Sequence, residues 1–181
     1  MEIMRNYMEI MRNYMEANVK LYAYNYAEAK TYLWALVFVA CNLILPQVFH
    51  LIPQGGIIFA PLSFVILAGA YKFGWKTGLL AALASPLVNH AITGMPAWGV
   101  MPVMTLKLAI IALVAGLAAQ RFKTISLPLV ITVVLVSMVF GALGELVIMG
   151  GISATISDVT IGWPGILLQV FGTWLIVKYV K

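Results

Sequence analysis

The sequence predicts an all-α integral membrane protein with six transmembrane helices and both termini in the cytoplasm. Three observations lead to this fold class: the composition, a series of six apolar segments, and the distribution of lysine and arginine between them. Of the 181 residues, 63% are apolar and 9% are charged, and the mean hydropathy is +1.00. A soluble domain has about 45–50% apolar and about 25% charged residues. A soluble fold of this size could not bury so much apolar surface, so lipid must be the solvent for much of it.

The six apolar segments are separated by turns that contain glycine and proline. They span residues 32–50, 57–71, 77–93, 101–120, 126–149 and 162–180. A helix needs about 20 residues to cross about 30 Å of hydrocarbon. The second and third segments are shorter than this, so we expect these spans to be irregular or to be buried by their neighbours.

The distribution of basic residues predicts the orientation of the helices. Ten of the eleven lysines and arginines lie in the N-terminal segment, the second and fourth connections and the C-terminus, and only Lys107 is left over. Because basic connections stay in the cytoplasm, an even number of spans places both termini there. The formal charge of +5 is therefore attributed to cytoplasmic loops rather than to nucleic-acid binding.

The first 31 residues form a cytoplasmic or interfacial segment, and residues 32–181 form the six-helix transmembrane domain. The peptide MEIMRNY at residues 1–7 recurs at 8–14. This repeat is far too short for a solenoid unit, and we assign it no function. Residues 15–31 are polar and rich in tyrosine, and we predict a short interfacial helix there. The first apolar segment is long and lacks a small-residue cleavage site, so no cleavable signal peptide is expected.

The connections on the predicted outer side are rich in glycine, proline, tryptophan and methionine. They span residues 46–56, 93–102 and 150–162. Such loops can cover a cavity and bind a small ligand, although ordinary interfacial loops with an aromatic belt would have the same composition. The candidate binding residues in or beside them are His50, Trp98, Asp158 and Trp163.

Lys107 and Glu145 are the most informative single residues. Lys107 lies five residues past Pro102, about 7 Å into the fourth span at about 1.5 Å per residue. Glu145 lies five residues before Gly150, at a similar depth in the fifth span. Ionisable groups inside a membrane are costly and indicate a functional site. Two compatible interpretations stay open: a structural ion pair that locks two helices, or a site that binds polar groups of a ligand.

Asn89 and His90 end the third span, and they are further candidates for substrate binding. Two histidines, His50 and His90, with methionines nearby could suggest a metal, haem or corrinoid site. No HxxxH or CxxC spacing is present, so polar helix ends are the favoured explanation, and no metal or cofactor is expected. The sequence also lacks a Walker A motif, HExxH, GxSxG and a dinucleotide fingerprint. We therefore expect no enzymatic activity, and if the chain moves a solute against a gradient, the energy must come from a partner or an ion.

Several short motifs occur together in a fixed order. They are FGWKTG at 73–78, SPL at 85–87, TGMP at 93–96, MTLKLA at 104–109 and WPGILLQ at 163–169. In this order and spacing they resemble the substrate-binding S components of energy-coupling factor (ECF) vitamin transporters, over residues 32–180. Family members often carry a carboxylate where Lys107 stands.

The resemblance implies a six-helix S-component fold in the plasma membrane of a prokaryote. It implies that the chain captures a vitamin or related micronutrient from outside, with a transmembrane coupling subunit and two cytoplasmic ATPases as partners. We expect the pocket at the outward ends of the first, fourth, fifth and sixth spans, covered by the connections at 46–56 and 94–102, with Trp98 and Trp163 stacking on the ligand. Lys107 would bind an anionic or carbonyl group of the ligand, and Glu145 would orient it or accept a hydrogen bond. The alternatives are a haem- or corrinoid-binding protein, a cofactor-binding subunit of a membrane enzyme, and a structural subunit without a ligand.

Overall fold

The computed structural model describes residues 4–6 and 16–180, and most of this part of the chain is helical. The helices are α1 (Ala29–Phe49), α2 (Gly55–Phe59), α3 (Pro61–Phe73), α4 (Trp75–Thr93), α5 (Met101–Phe122), α6 (Leu127–Met149), α7 (Ser153–Thr160), α8 (Trp163–Leu167) and α9 (Thr173–Tyr179). A π-helical turn, Leu168–Gly172, joins α8 to α9. Two short strands, β1 (Glu16–Asn18) and β2 (Thr124–Ser126), pair antiparallel, with Ala17 opposite Ile125.

The structure is compatible with an all-α, multi-pass membrane protein. Four stretches of the described chain are long and apolar enough to cross a membrane: α1, α2 together with α3, α5 and α6. A fifth is possible if α7 and the helical run from α8 to α9, which meet at a bend of 74°, form one broken span. Helix α4 has 19 residues and is continuous, but it is not among these stretches, and its sequence includes polar side chains such as Ser85 and Asn89. The count of six spans and the cytoplasmic termini remain predictions.

The predicted helix boundaries agree with the structure to within a few residues, because local backbone signals end each helix. Gly74 and Gly94 have positive φ angles of 94° and 74°, and they terminate α3 and α4. Pro61 begins α3, where it lacks only a hydrogen-bond donor that the first helical turn does not use.

Helix α3 lies at the centre of the bundle, against α1, α4 and α5. Its side chains from Ile66 to Tyr71 are buried almost completely. Small residues allow the neighbouring helices to approach closely. A Cβ atom on Gly116 of α5 would lie only 2.3 Å from the Trp75 backbone nitrogen of α4, so these two helices meet backbone to backbone.

The predicted interfacial helix at residues 15–31 is wrong for the part that the structure describes. Strand β1 is followed by a segment without regular secondary structure, and α1 begins only at Ala29. The tyrosines of this segment stack on the end of α3: the rings of Tyr22 and Phe73 are 5.6 Å apart, and the Tyr22 N–H donates to the Lys72 carbonyl oxygen at 2.8 Å. These contacts hold the segment against α3 without a helical backbone. Apart from residues 4–6, the direct repeat lies outside the described residues.

Two features of the predicted outer side also differ from expectation. The connection at 150–162, predicted as a loop, contains the eight-residue helix α7. The predicted sixth span is not one regular helix, because the π-helical turn interrupts it. Helix α7 and the π-helical turn both lie beside the candidate site.

Candidate functional site

Lys107 joins two carboxylates from two other helices. Its Nζ lies 2.9 Å from Glu145 Oε2 and donates a hydrogen bond to Asp158 Oδ2, also at 2.9 Å. Helices α5, α6 and α7 each supply one member of this group, which we call the ion cluster (Lys107, Glu145, Asp158). The predicted pairing of Lys107 with Glu145 is confirmed. The contact with Asp158 was not predicted, because α7 was expected to be a loop.

Glu145 also anchors the start of α7. Its Oε1 accepts a hydrogen bond from the Ala154 N–H at 2.6 Å. Its Oε2 accepts from the Thr155 N–H at 2.9 Å and from Thr155 Oγ1 at 2.7 Å. A carboxylate is favoured at this position because the N-terminus of a helix carries free N–H groups and a partial positive charge. The Glu145 side chain is 1% exposed, so both of its oxygens are fully engaged inside the protein.

The ion cluster connects α7 to the other helices through two contacts. Glu145 binds the first turn of α7, and Lys107 binds Asp158 near its other end. Asp158 is 46% exposed, and its Oδ1 has no hydrogen-bond partner in the described part of the chain. The contact between Lys107 and Asp158 is therefore the weaker of the two, because a partly hydrated ion pair contributes little to stability.

A cavity of about 70 Å³ lies beneath α7. Its walls come from α2 and α3, from α5 and α6, from α7, and from the segment between Gly162 and the π-helical turn. The polar side chains on these walls are Ser63, Lys107, Ser137, Thr155, Asp158 and Gln169. The expected position between the fourth, fifth and sixth spans agrees with this cavity. The first span and the connections at 46–56 and 94–102 do not line it, whereas the second span and α7 do.

Three polar side chains on the cavity wall lack internal partners. Ser137 of α6 is 4% exposed, and its Oγ accepts or donates no hydrogen bond within the described residues. Gln169 is buried in the π-helical turn, and its amide is likewise without a partner there, as is the Ser63 hydroxyl. Turns of π-helix are frequent at functional sites. A buried polar group without a hydrogen bond is costly, so the Ser137 hydroxyl is expected to bind water or a ligand that enters the cavity. The Gln169 and Ser63 side chains lie on the same wall and could contact the same molecule.

Gly141 makes room for the lysine. A Cβ atom at this position would lie 3.3 Å from Lys107 Cγ, so the lysine stem lies against the bare backbone of α6. Ser137, Gly141 and Glu145 are spaced four residues apart and therefore share one face of α6. This spacing is the signal from which Ser137 could have been predicted. Gln169 had no comparable signal, because its inward position depends on the π-helical turn.

The other predicted site residues lie outside the cavity lining. Asn89 Nδ2 donates to the carbonyl oxygens of Asn42 and Ser85, at 3.1 and 2.8 Å. Trp163 is the largely exposed first residue of α8, and His50 directly follows α1. For these three residues, binding of a ligand stays a prediction.

His90 and Trp98 pack against each other away from the ion cluster. Their ring centroids are 4.4 Å apart, and His90 Nδ1 donates to the Pro96 carbonyl oxygen at 2.8 Å. Trp98 also lines a separate apolar groove beside Met101 and Leu106. Among the described residues, no group of three or more His, Cys, Asp or Glu side chains is placed to hold a metal ion.

Comparisons of the chain with protein-family models, curated proteins and solved structures gave no match. The resemblance to S components therefore stays a prediction from the sequence motifs.

Proposed function

We propose that this chain is the substrate-binding membrane subunit of an ECF-type importer, which captures a vitamin or related micronutrient on the outer side. The observation that carries the proposal is the cavity beneath α7, with its unpartnered Ser137 and Gln169 side chains. Ionisable side chains within a membrane protein are costly and often mark functional sites, and a buried polar group without a hydrogen-bond partner is costly as well. A concave site with a few convergent polar groups is the part of a protein surface where small-molecule binding is first sought.

The proposal assigns energy supply to other subunits. The sequence contains no nucleotide-binding motif, so the partners are a transmembrane coupling subunit and two cytoplasmic ATPases. The purified chain should bind its ligand and should not hydrolyse ATP. Intrinsic ATPase activity, or accumulation of the solute against a gradient without a coupling module, would contradict this function.

The proposal also requires a fixed orientation, with the cavity end facing outward. Lys123 follows α5, and Thr160 ends α7; both are exposed. In a Cys41→Ser background, Thr160→Cys should react with an impermeant maleimide in intact cells, and Lys123→Cys only after the membrane is opened. Labelling of both from the same side of intact cells would contradict the topology.

The central test is recovery of a co-purified ligand by native mass spectrometry. We expect the wild-type chain to carry a bound small molecule and Ser137→Phe, which fills the cavity, to lose it. Val139→Phe is the matched control, because Val139 lies on the same helix, is mostly exposed and does not line the cavity. Equal ligand occupancy in folded Ser137→Phe and Val139→Phe proteins would reject the cavity as the binding site.

A further inference from the structure

We infer that the cavity beneath α7 binds a positively charged nitrogen group, an ammonium or amidinium, rather than an anion. This inference rests on the proposed function and specifies the chemical class of its substrate. It differs from the expectation that Lys107 binds an anionic or carbonyl group of the ligand.

The first argument is the charge balance around the cavity. Among the described residues, the ionisable side chains that line the cavity are Lys107 of α5 and Asp158 of α7. Glu145 of α6 does not line it and lies behind Lys107, with its Oε2 2.9 Å from Lys107 Nζ. One positive and two negative charges leave the ion cluster with a net charge of −1. An anionic ligand would contact the Asp158 carboxylate directly, with the Glu145 carboxylate behind Lys107, and like charges at close range disfavour binding.

The second argument is that Lys107 is already occupied. Its Nζ lies 2.9 Å from a carboxylate oxygen on each side. An anion could reach it only by displacing Glu145 or Asp158. Displacing Glu145 would also release the N-terminal N–H groups of α7, and displacing Asp158 would leave a carboxylate beside the incoming anion.

The third argument is the type of hydrogen-bonding group left free. Asp158 Oδ1 and Ser137 Oγ have no partners in the described chain, and the Gln169 amide supplies a further free oxygen. All three can accept hydrogen bonds, but only the Asp158 carboxylate is restricted to accepting, because the serine hydroxyl and the glutamine amide can also donate; a protonated nitrogen carries several donors. Hydrogen bonds with an ionised partner are the stronger kind, so Asp158 is expected to dominate. The volume of about 70 Å³ suits a small charged head group rather than a large ring system.

The experiment compares three probes of nearly equal shape that differ in charge: acetamidinium, acetamide and acetate. Apparent dissociation constants are obtained from the rise in unfolding temperature of the full chain in detergent, at constant ionic strength. We expect acetamidinium to bind at least about tenfold more tightly than acetate, with acetamide between them. Equal or tighter binding of acetate would overturn the inference.

Two variants should change this preference in opposite directions. Asp158→Asn makes the cluster neutral and should remove most of the preference for acetamidinium. Lys107→Gln makes its net charge −2 and should strengthen acetamidinium binding; weaker binding would overturn the inference, even if Asp158→Asn failed to fold. Glu28→Gln, which removes an exposed carboxylate away from the cavity, is the control and should leave the preference unchanged.

The same data separate this inference from the proposed function. If acetate binds best and Ser137→Phe abolishes its binding, the cavity is a solute site and only the charge assignment is wrong. If none of the three probes raises the unfolding temperature of the wild-type chain more than that of Ser137→Phe, both the charge assignment and the proposed function are overturned.

Discussion

In the described part of the chain, two clusters of polar side chains connect the helices, and they differ in charge, in burial and in what surrounds them. The ion cluster bridges α5, α6 and α7. The other, the amide cluster (Asn42, Ser85, Asn89), joins α1 to α4. Asn42 Nδ2 donates to Ser85 Oγ at 2.9 Å, and Asn89 Nδ2 donates to two backbone carbonyl oxygens.

The difference shows that burial of polar groups is not enough to indicate a binding site. The amide cluster also has an unpartnered atom among the described residues, Asn42 Oδ1, but none of its members lines the cavity beneath α7. Its hydrogen bonds connect two helices, which is a common way to fix helix packing in lipid. The ion cluster borders a cavity in which further polar groups are free, and only this combination indicates a ligand.

The largest expected effect is the loss of stability when Glu145 is changed. Glu145→Gln should lower the free energy of unfolding by about 2–5 kcal/mol, because Lys107 and the α7 N-terminus lose a buried charge. Asp158→Asn should cost about 1 kcal/mol or less, because that ion pair is half exposed. Equilibrium unfolding in mixed micelles would measure both. Equal losses would show that the two carboxylates do not differ as their burial indicates.

Removal of the opposite charge should recover part of this loss. Glu145→Gln alone leaves the Lys107 charge beside an uncharged side chain. The double variant Lys107→Met with Glu145→Gln also removes that lysine charge. We expect the double variant to unfold at a higher temperature than Glu145→Gln alone. A double variant that is less stable than either single variant would indicate that Lys107 stabilises the bundle chiefly through Asp158.

The amide cluster should affect stability without affecting binding. Asn89→Ala should lower the free energy of unfolding by about 0.5–2 kcal/mol, since interhelical hydrogen bonds in membranes are individually modest. Acetamidinium affinity should stay within about twofold of wild type, because Asn89 lies outside the cavity lining. A loss of affinity as large as that of Asp158→Asn would show that Asn89 affects binding, as the sequence predicts.

The sequence predicted the helical segments and the pairing of Lys107 with Glu145, because both follow from local patterns. Glycine and proline mark helix ends, and charges at matched depth in adjacent apolar helices have few alternative partners. The role of Asp158 was not predictable in this way, because it depends on α7, whose start is stabilised by the distant Glu145. Ser137 was visible in the spacing along α6, but Gln169 faces the cavity only because of a π-helical turn that no local motif indicates.

The smallest expected effect on stability comes from the last span, which offers a matched pair of buried polar residues. Gln169 lines the cavity, and Thr173, one turn further along, has a buried Oγ1 without a partner in the described chain but does not line it. Gln169→Leu and Thr173→Val each replace an unpartnered polar group by an apolar one of similar size. Both should therefore leave the unfolding temperature unchanged or raise it slightly, since replacing an unpaired polar group removes a desolvation cost.

Only Gln169→Leu should weaken acetamidinium binding, by about three- to tenfold, as expected for the loss of one hydrogen bond. The affinity of Thr173→Val should equal that of wild type. If both variants bind as wild type does, the Gln169 amide faces the cavity without contacting the ligand, and the recognition must depend on Asp158 and Ser137. If both weaken binding equally, the effect arises from altered packing of the last span, and the direct contact is rejected.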